Sequence, residues 1–343
     1  MIKKRVVVLL ILLIMAVFAV GCASDEEQTG NASENNGEEP LQIYTTVFAW
    51  EDFANKIGGK EVEVENVVPA GGDTHSFEPT SKTMVDIAEG DAFMYNGAGM
   101  EGFAEAVNDT IQNEGALSIE VAEGIDLNSL SEDHSHEEEE EHNHDSGDVD
   151  PHLWLDPVLA KEAAENIKDA LIELRPEKED TFEENFVALE QDLEELDESF
   201  SETVASTENN EFVVSHAAYG YWEDRYGLNQ TSISGVSPSD EPSQKELQDI
   251  IETVEEAGIQ HILFEENVSS KVTEVVQEEV GAEALYLHNL STRTEKEIDN
   301  GNDYFDLMEQ NIENIDTALQ TSSGDIDTEE NHESDDHNHD HNH

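Results

Sequence analysis

Cysteine occurs once in these 343 residues, at Cys22, so no disulfide can close within the chain. Cations are almost as scarce: 15 lysines and arginines face 83 aspartates and glutamates, for a formal net charge of −68. A chain of this charge repels a phosphate backbone, which excludes nucleic acid as a partner. Self-repulsion also weakens a compact state at low ionic strength and is relieved by screening, so the composition points to an acidic, halophilic protein from a salt-rich habitat. The competing reading, that the acids concentrate cations, fits less well, because acids are spread along every predicted helix. Long apolar runs are absent after Val20. The one such run, Val6–Val20, is shorter than the ~20 residues a membrane-spanning helix needs. Hydrophobic residues at 36% still supply a core for two domains.

What is present begins with an export grammar. Lys3, Lys4 and Arg5 precede the apolar run, and Gly21-Cys22 follows it. These are the charged, apolar and small-residue regions of a leader. A lone cysteine at that place reads as a lipid attachment point, tethering the protein to the outer face of the cell membrane. The expected organisation is a lipoprotein signal peptide over 1–21, then a disordered spacer over 22–40. An N-terminal αβ lobe covers 41–156, linking helices 157–209 and a C-terminal αβ lobe 210–320. A His- and acid-rich loop at 131–148 interrupts the first lobe, and a tail of the same composition covers 321–343.

The lobes follow from alternating periodicities. LQIYTTVFAW, EVEVENVV, AFMYNGAG and LSIEVAEG read as strands, with helices over Glu51–Ile57, Ser81–Ala88 and Glu101–Asn113 between them. EFVVSH, TSISGV, HILFEE and ALYLHNL form a second series, with helices over Tyr219–Tyr226, Ser243–Ala257, Ser269–Val280 and Asp303–Leu319. Strands alternating with helices indicate βαβ units and a mostly parallel sheet in each lobe. Between them a helix is expected over Pro157–Leu174, with proline at its first position. In the next helix Phe182, Phe186, Leu189, Leu193, Leu196, Phe200 and Val204 recur at steps of four and three. That is one α-helical stripe, on a rod of roughly 40 Å. A coiled-coil seam is the weaker reading, because its flanking charges are nearly all acidic and could not pair across a homodimer.

Three histidines share a local setting. His75 in GGDTHSFEP, His152 in DPHLWLDP and His216 in EFVVSHAAYGYW each lie in a short polar segment near the end of an apolar run. Ligands of open parallel sheets bind beyond the carboxyl ends of the strands, and imidazole suits Zn²⁺. Two such residues from one lobe and one from the other would place a metal in the inter-lobe cleft, where binding would bridge the lobes and favour a closed form. His261 and His288 lack this context and read as structural hydrogen-bonding residues. His134, His136, His142 and His144 of the loop, with His332, His337, His339, His341 and His343 of the tail, lie among residues that cannot bury a core. They are expected to act as weak, accessory zinc collectors.

GGDTHSFEPTSKTM, DPHLWLDPVLA, SHAAYGYWEDRYGL, SGVSPSDEPSQKEL and ILFEENVSSK resemble the zinc-specific solute-binding lipoproteins of bacterial ABC importers. The likeness runs from about Leu41 to Leu319. It implies two αβ lobes joined by one long rigid helix, with metal ligands at positions matched by His75, His152 and His216. Manganese-binding relatives carry glutamate at the third position, so His216 favours zinc. It implies Zn²⁺ as transported ligand, and as partners an ABC permease and its ATPase. A His- and acid-rich loop before the second histidine is a further mark of the zinc members. Some relatives add a carboxylate ligand near the segment matched by LHNLSTRT. Here Ser291 stands there, so the fourth position falls to water or to a nearby acid such as Glu265.

The expected function is therefore capture of Zn²⁺ outside the membrane by a monomer that is not an enzyme. A manganese-binding relative and a surface metal buffer or adhesin are the alternatives. A zinc hydrolase fits least, because no HExxH helix and no evident general base or nucleophile accompanies the histidines.

Overall fold

The computed structural model describes residues 39–111, 114–130, 149–265 and 271–321. Cys22, the 131–148 tract and the tail histidines lie outside the described residues. In the first lobe the chain runs β1 (Leu41–Thr45), α1 (Phe48–Gly58), β2 (Val62–Asn66), α2 (Ser81–Glu89), β3 (Ala92–Tyr95), α3 (Ala104–Ile111) and β4 (Leu117–Glu120). All pairings are parallel, in the order β2-β1-β3-β4. A 3-10 turn at Leu153–Leu155 leads into α4 (Pro157–Leu174) and α5 (Glu179–Ala205). The second lobe contains β5 (Glu211–His216), α6 (Gly220–Tyr226), β6 (Asn229–Ser234), α7 (Gln244–Ala257), β7 (His261–Glu265), α8 (Lys271–Val280), β8 (Glu283–Leu287), α9 (Glu295–Asn300) and α10 (Tyr304–Thr321). Its sheet is again parallel, in the matching order β6-β5-β7-β8.

In each sheet the chain first steps to one side and then crosses to the other. The switch point, where an α/β sheet opens a crevice, falls between β1 and β3 in one lobe and between β5 and β7 in the other. His216 is the last residue of β5, and Glu265 the last of β7.

The expected elements form, with two differences. β1 stops at Thr45 and α1 begins at Phe48, not Glu51. Val47, Phe48, Ala49 and Trp50 are all buried, and a short apolar run buried all round reads the same as strand or helix. The second difference is α9, whose signal was a capping box: Thr294 and Glu297 cap each other's backbone groups.

The long helix is α5, with 27 residues. Phe182, Leu189, Leu193, Leu196, Phe200 and Val204 are buried along it, while Phe186 is only partly covered. It packs on α1, α4, α6 and α10. The lobes are not separate bodies, because one continuous core runs from β1 through α4 and α5 to β5 and α10. Aromatic contacts carry it across: Trp50 meets Trp154 edge-on with centroids 6.2 Å apart, and Phe53 meets Tyr304 at 4.8 Å.

Asp156 joins the linking helices to the second lobe. One of its oxygens caps α4, accepting from Val158 N at 2.8 Å and Leu159 N at 3.3 Å. The other accepts from Arg225 Nε at 2.9 Å on α6 and pairs with Nη2 at 2.8 Å. Asp156→Ala removes cap and ion pair together, and is expected to cost roughly 2 kcal/mol in urea unfolding. Arg225→Met, which leaves the cap, should cost less.

Candidate metal centre

Two of the three histidines are set by the same local device. Asp73 precedes His75 by two residues, and Asp73 Oδ1 accepts from His75 N at 3.1 Å. Asp150 precedes His152 by two, and Asp150 Oδ1 accepts from His152 N at 3.0 Å. Such aspartate turns fix a backbone locally and need no distant partner. Asp73 Oδ2 also takes Ser76 Oγ at 2.6 Å, and Asp150 Oδ1 also meets the ring, at His152 Nδ1, at 2.8 Å. His216 is placed differently, by the end of β5, with its Nδ1 against Glu265 Oε1.

The three rings converge. One ring nitrogen from each lies within 4.8 Å of the others, and His75 Nε2 is 3.1 Å from His152 Nε2. Ring centroids are 5.1 Å apart for His75 and His152, 5.4 Å for His152 and His216, and 6.2 Å for His75 and His216. They surround a cavity of about 10 Å³, lined also by Asp73, Met100 and Asn289. That is room for one water-sized body. His152 and His216 are each 1% exposed, whereas His75 is partly exposed.

A carboxylate at Nδ1 holds the Nδ1–H tautomer and leaves Nε2 with its lone pair, so both buried histidines are presented as metal ligands. The electrostatics differ between lobes. Burial, with His152 and His216 beside it, pushes the His75 imidazole down to about 3. Burial also opposes a charge on His216, but the adjacent Glu265 carboxylate outweighs it, and the His216 pKa is raised. Glu265 in turn is lowered: burial opposes its charge, and His216, Ser215 and Asn289 together overcome that penalty.

Glu265, the acid expected to reach in as fourth ligand, is placed behind His216. Its Oε1 meets His216 Nδ1 and accepts from Ser215 Oγ at 2.7 Å, and its Oε2 accepts from Asn289 Nδ2 at 2.7 Å. Both oxygens are thus already engaged, one with His216 Nδ1 and Ser215 and the other with Asn289. Ser291 borders the cavity, with its hydroxyl donating to Asn289 Oδ1 at 2.9 Å. His288 is structural, accepting from Leu290 N at Nδ1 (2.9 Å) and facing Glu297 at 3.3 Å. His261 lies 3.9 Å from Glu283. Sequence reading missed Asp73, Asp150 and Asn289. The repeated Asp-x-His spacing was a usable signal for the first two, and nothing local marks Asn289.

The family model described as zinc-uptake complex component A, periplasmic, matches residues 43–318. The chain belongs to this zinc-uptake family. The high-affinity zinc uptake system protein ZnuA of Bacillus subtilis is 33% identical over 310 residues, covering 90% of this chain and 97% of that relative. The zinc-binding lipoprotein AdcA of Streptococcus pneumoniae is 31% identical over 304 residues. The alignment covers 89% of this chain but only 59% of that longer relative. Among solved structures, the Zn(II)-bound ZnuA-like domain of S. pneumoniae AdcA superposes with a TM-score of 0.69 at 31% identity, covering 82% of this chain and 100% of that one. The laminin-binding protein of Streptococcus agalactiae, described as an adhesin with metal-transporting activity, gives 0.72 at 26% identity, with the same coverage.

The depressed His75 makes a prediction for the metal-free protein. The unfolded chain protonates this residue near pH 6.5, whereas the folded protein does so only near 3. Between those values the unfolded state holds the extra proton, so the residue costs stability as pH falls through the window. His75→Gln is expected to lose less melting temperature than the wild type between about pH 6.5 and 4. Parallel losses would contradict the placement.

Proposed function

We propose that the protein captures Zn²⁺ on His75, His152 and His216, outside the cell membrane, and delivers it to an ABC permease powered by its ATPase. The observation that carries this reading is the convergence of three imidazoles from two lobes on one ion-sized cavity, two of them backed by carboxylates. Three nitrogen donors suit Zn²⁺ better than the oxygen-preferring Mn²⁺. Glu265 acts through His216, as Asp150 acts through His152, orienting the ring and raising its basicity. The fourth position is taken by water, because Glu265 and Asn289 are engaged elsewhere. The chain is a component of an uptake complex and not an enzyme. An adhesin role is a second reading, favoured by the likeness to a laminin-binding protein. It would use the same fold.

Delivery at a membrane needs the protein held there. Cys22 after Gly21 and the apolar run supplies an anchor, with residues 23–40 as spacer, and one relative is itself named a lipoprotein. The protein then works as an anchored monomer in a salty exterior that screens its acids.

Two experiments test the reading. His216→Ala, which removes the ligand contributed by the second lobe, is expected to weaken zinc binding by more than about 100-fold in chelator competition. Deleting residues 131–148 should weaken it far less. Equal affinity in His216→Ala and wild type would overturn the site. Cys22→Ala should release the protein into the medium or leave an uncleaved precursor. A variant still partitioning with detergent and carrying lipid by mass spectrometry would refute the anchor.

A further inference from the structure

The stretch after β8, His288–Arg293, belongs to the second lobe by sequence, yet the first lobe and the turn after His152 hold it along its length. Asn289 O accepts from Trp154 Nε1 at 2.7 Å, and Ser291 O accepts from Phe48 N at 2.7 Å. Arg293 O accepts from Gly71 N at 2.9 Å, and Thr292 Oγ1 donates to Gly72 O at 2.8 Å. Leu290 is fully buried with φ +54°, in the left-handed region. A leucine adopts that backbone only where surrounding contacts determine it.

Within this stretch the side chain of Asn289 reaches back into its own lobe. Nδ2 donates to Glu265 Oε2 at 2.7 Å, while Oδ1 accepts from Ser291 N at 3.1 Å and from Ser291 Oγ at 2.9 Å. Glu265 holds His216, and Trp154 follows His152 by two residues. A protein-only path therefore runs from His152 through Trp154, Asn289 and Glu265 to His216, independent of any ion.

We infer that Asn289 is a positioning residue: by pinning Glu265 from a segment locked to the first lobe, it sets His216 opposite His75 and His152 before zinc arrives. The inference rests on the reading of His216 as a zinc ligand. Its chemistry is specific. Glu265 Oε1 already serves His216 and Ser215, so the plane of the carboxylate is fixed only when a donor also holds Oε2. A neutral amide does this without neutralising the charge that His216 needs. A site assembled in advance loses less entropy on binding, which favours affinity.

Asn289→Asp tests this, because it keeps the size of the side chain and the acceptor for Ser291 but loses the donor. Zinc affinity by chelator competition is expected to fall roughly 10- to 100-fold, and the ligand-field spectrum of the Co²⁺-loaded protein should change. Asn289→Ser keeps an acceptor for the turn but is too short to reach Glu265. It should show the same loss, and it covers the case in which the aspartate variant does not fold. The exchange variant Glu265→Gln with Asn289→Asp restores one donor and one acceptor in reverse order, and should bind zinc more tightly than the summed losses of its two single variants would give. It should stay below wild type, because Gln lacks the charge that His216 needs. Wild-type affinity and spectrum in folded Asn289→Asp and Asn289→Ser would overturn the inference, as would simply additive losses in the exchange variant. If His216→Ala itself leaves zinc binding intact, the proposed function fails. If His216→Ala abolishes binding while the Asn289 variants do not weaken it, only the positioning role fails.

Discussion

Three imidazoles stay within an ion's reach of one another only if something other than the ion fixes them, and here that something is hydrogen bonding to carboxylates, at the ring for His152 and His216 and at the backbone for His75. Asp150 and Glu265 are 3% exposed each, and the rings they hold are buried with them. Such pairs are costly to desolvate unless every lone pair finds a donor. The surroundings supply those donors: the His152 backbone for Asp150, and Ser215 with Asn289 for Glu265. The sheets bring His216 and Glu265 side by side, the continuous core keeps the lobes in one register, and the linking helices hold that register over the length of the molecule.

Scarcity of cations shapes how the rest is joined. The three arginines beyond the leader all lie at junctions between elements. Arg175 reaches Glu61 at 3.3 Å, Arg225 holds the cap of α4, and Arg293 pairs with Glu51 at 2.8 Å while lying over the Phe48 ring at 4.3 Å. Lys56 adds a link from α1 to Asp303 at 2.7 Å, across the lobes. Partly buried pairs are screened less by salt than exposed ones. High ionic strength would therefore quiet repulsion among the exposed acids and leave these joints largely intact.

Much of this was legible in the sequence, for physical reasons that also mark where legibility ends. Alternating βα periodicity placed nearly every element, because each strand and helix face is dictated by burial over its own residues. His75, His152 and His216 stood out because ligands gather at strand ends. Glu265 was expected as a fourth ligand, but its carboxylate is held by Asn289, 24 residues away, and Asn289 is held by Trp154, 135 residues away. No local pattern encodes such contacts. The start of α1 was misread for the complementary reason: Val47–Trp50 is buried on all sides, so periodicity carries no information there.

The opposite electrostatics of the two lobes follow from the same constraint. His75 has a backbone turn but no carboxylate on its ring, so burial and its neighbours keep it neutral far below ordinary histidine pH. His216 has a buried carboxylate at Nδ1, which outweighs burial and raises its pKa. In the proposed site a zinc ion would meet a neutral His75, whereas protonation opposes its binding more strongly at His216 than at His75. In the proposed site the carboxylate that orients His216 is also the group that strengthens its hold on a proton, so ligand orientation and sensitivity to acid would arise from one contact.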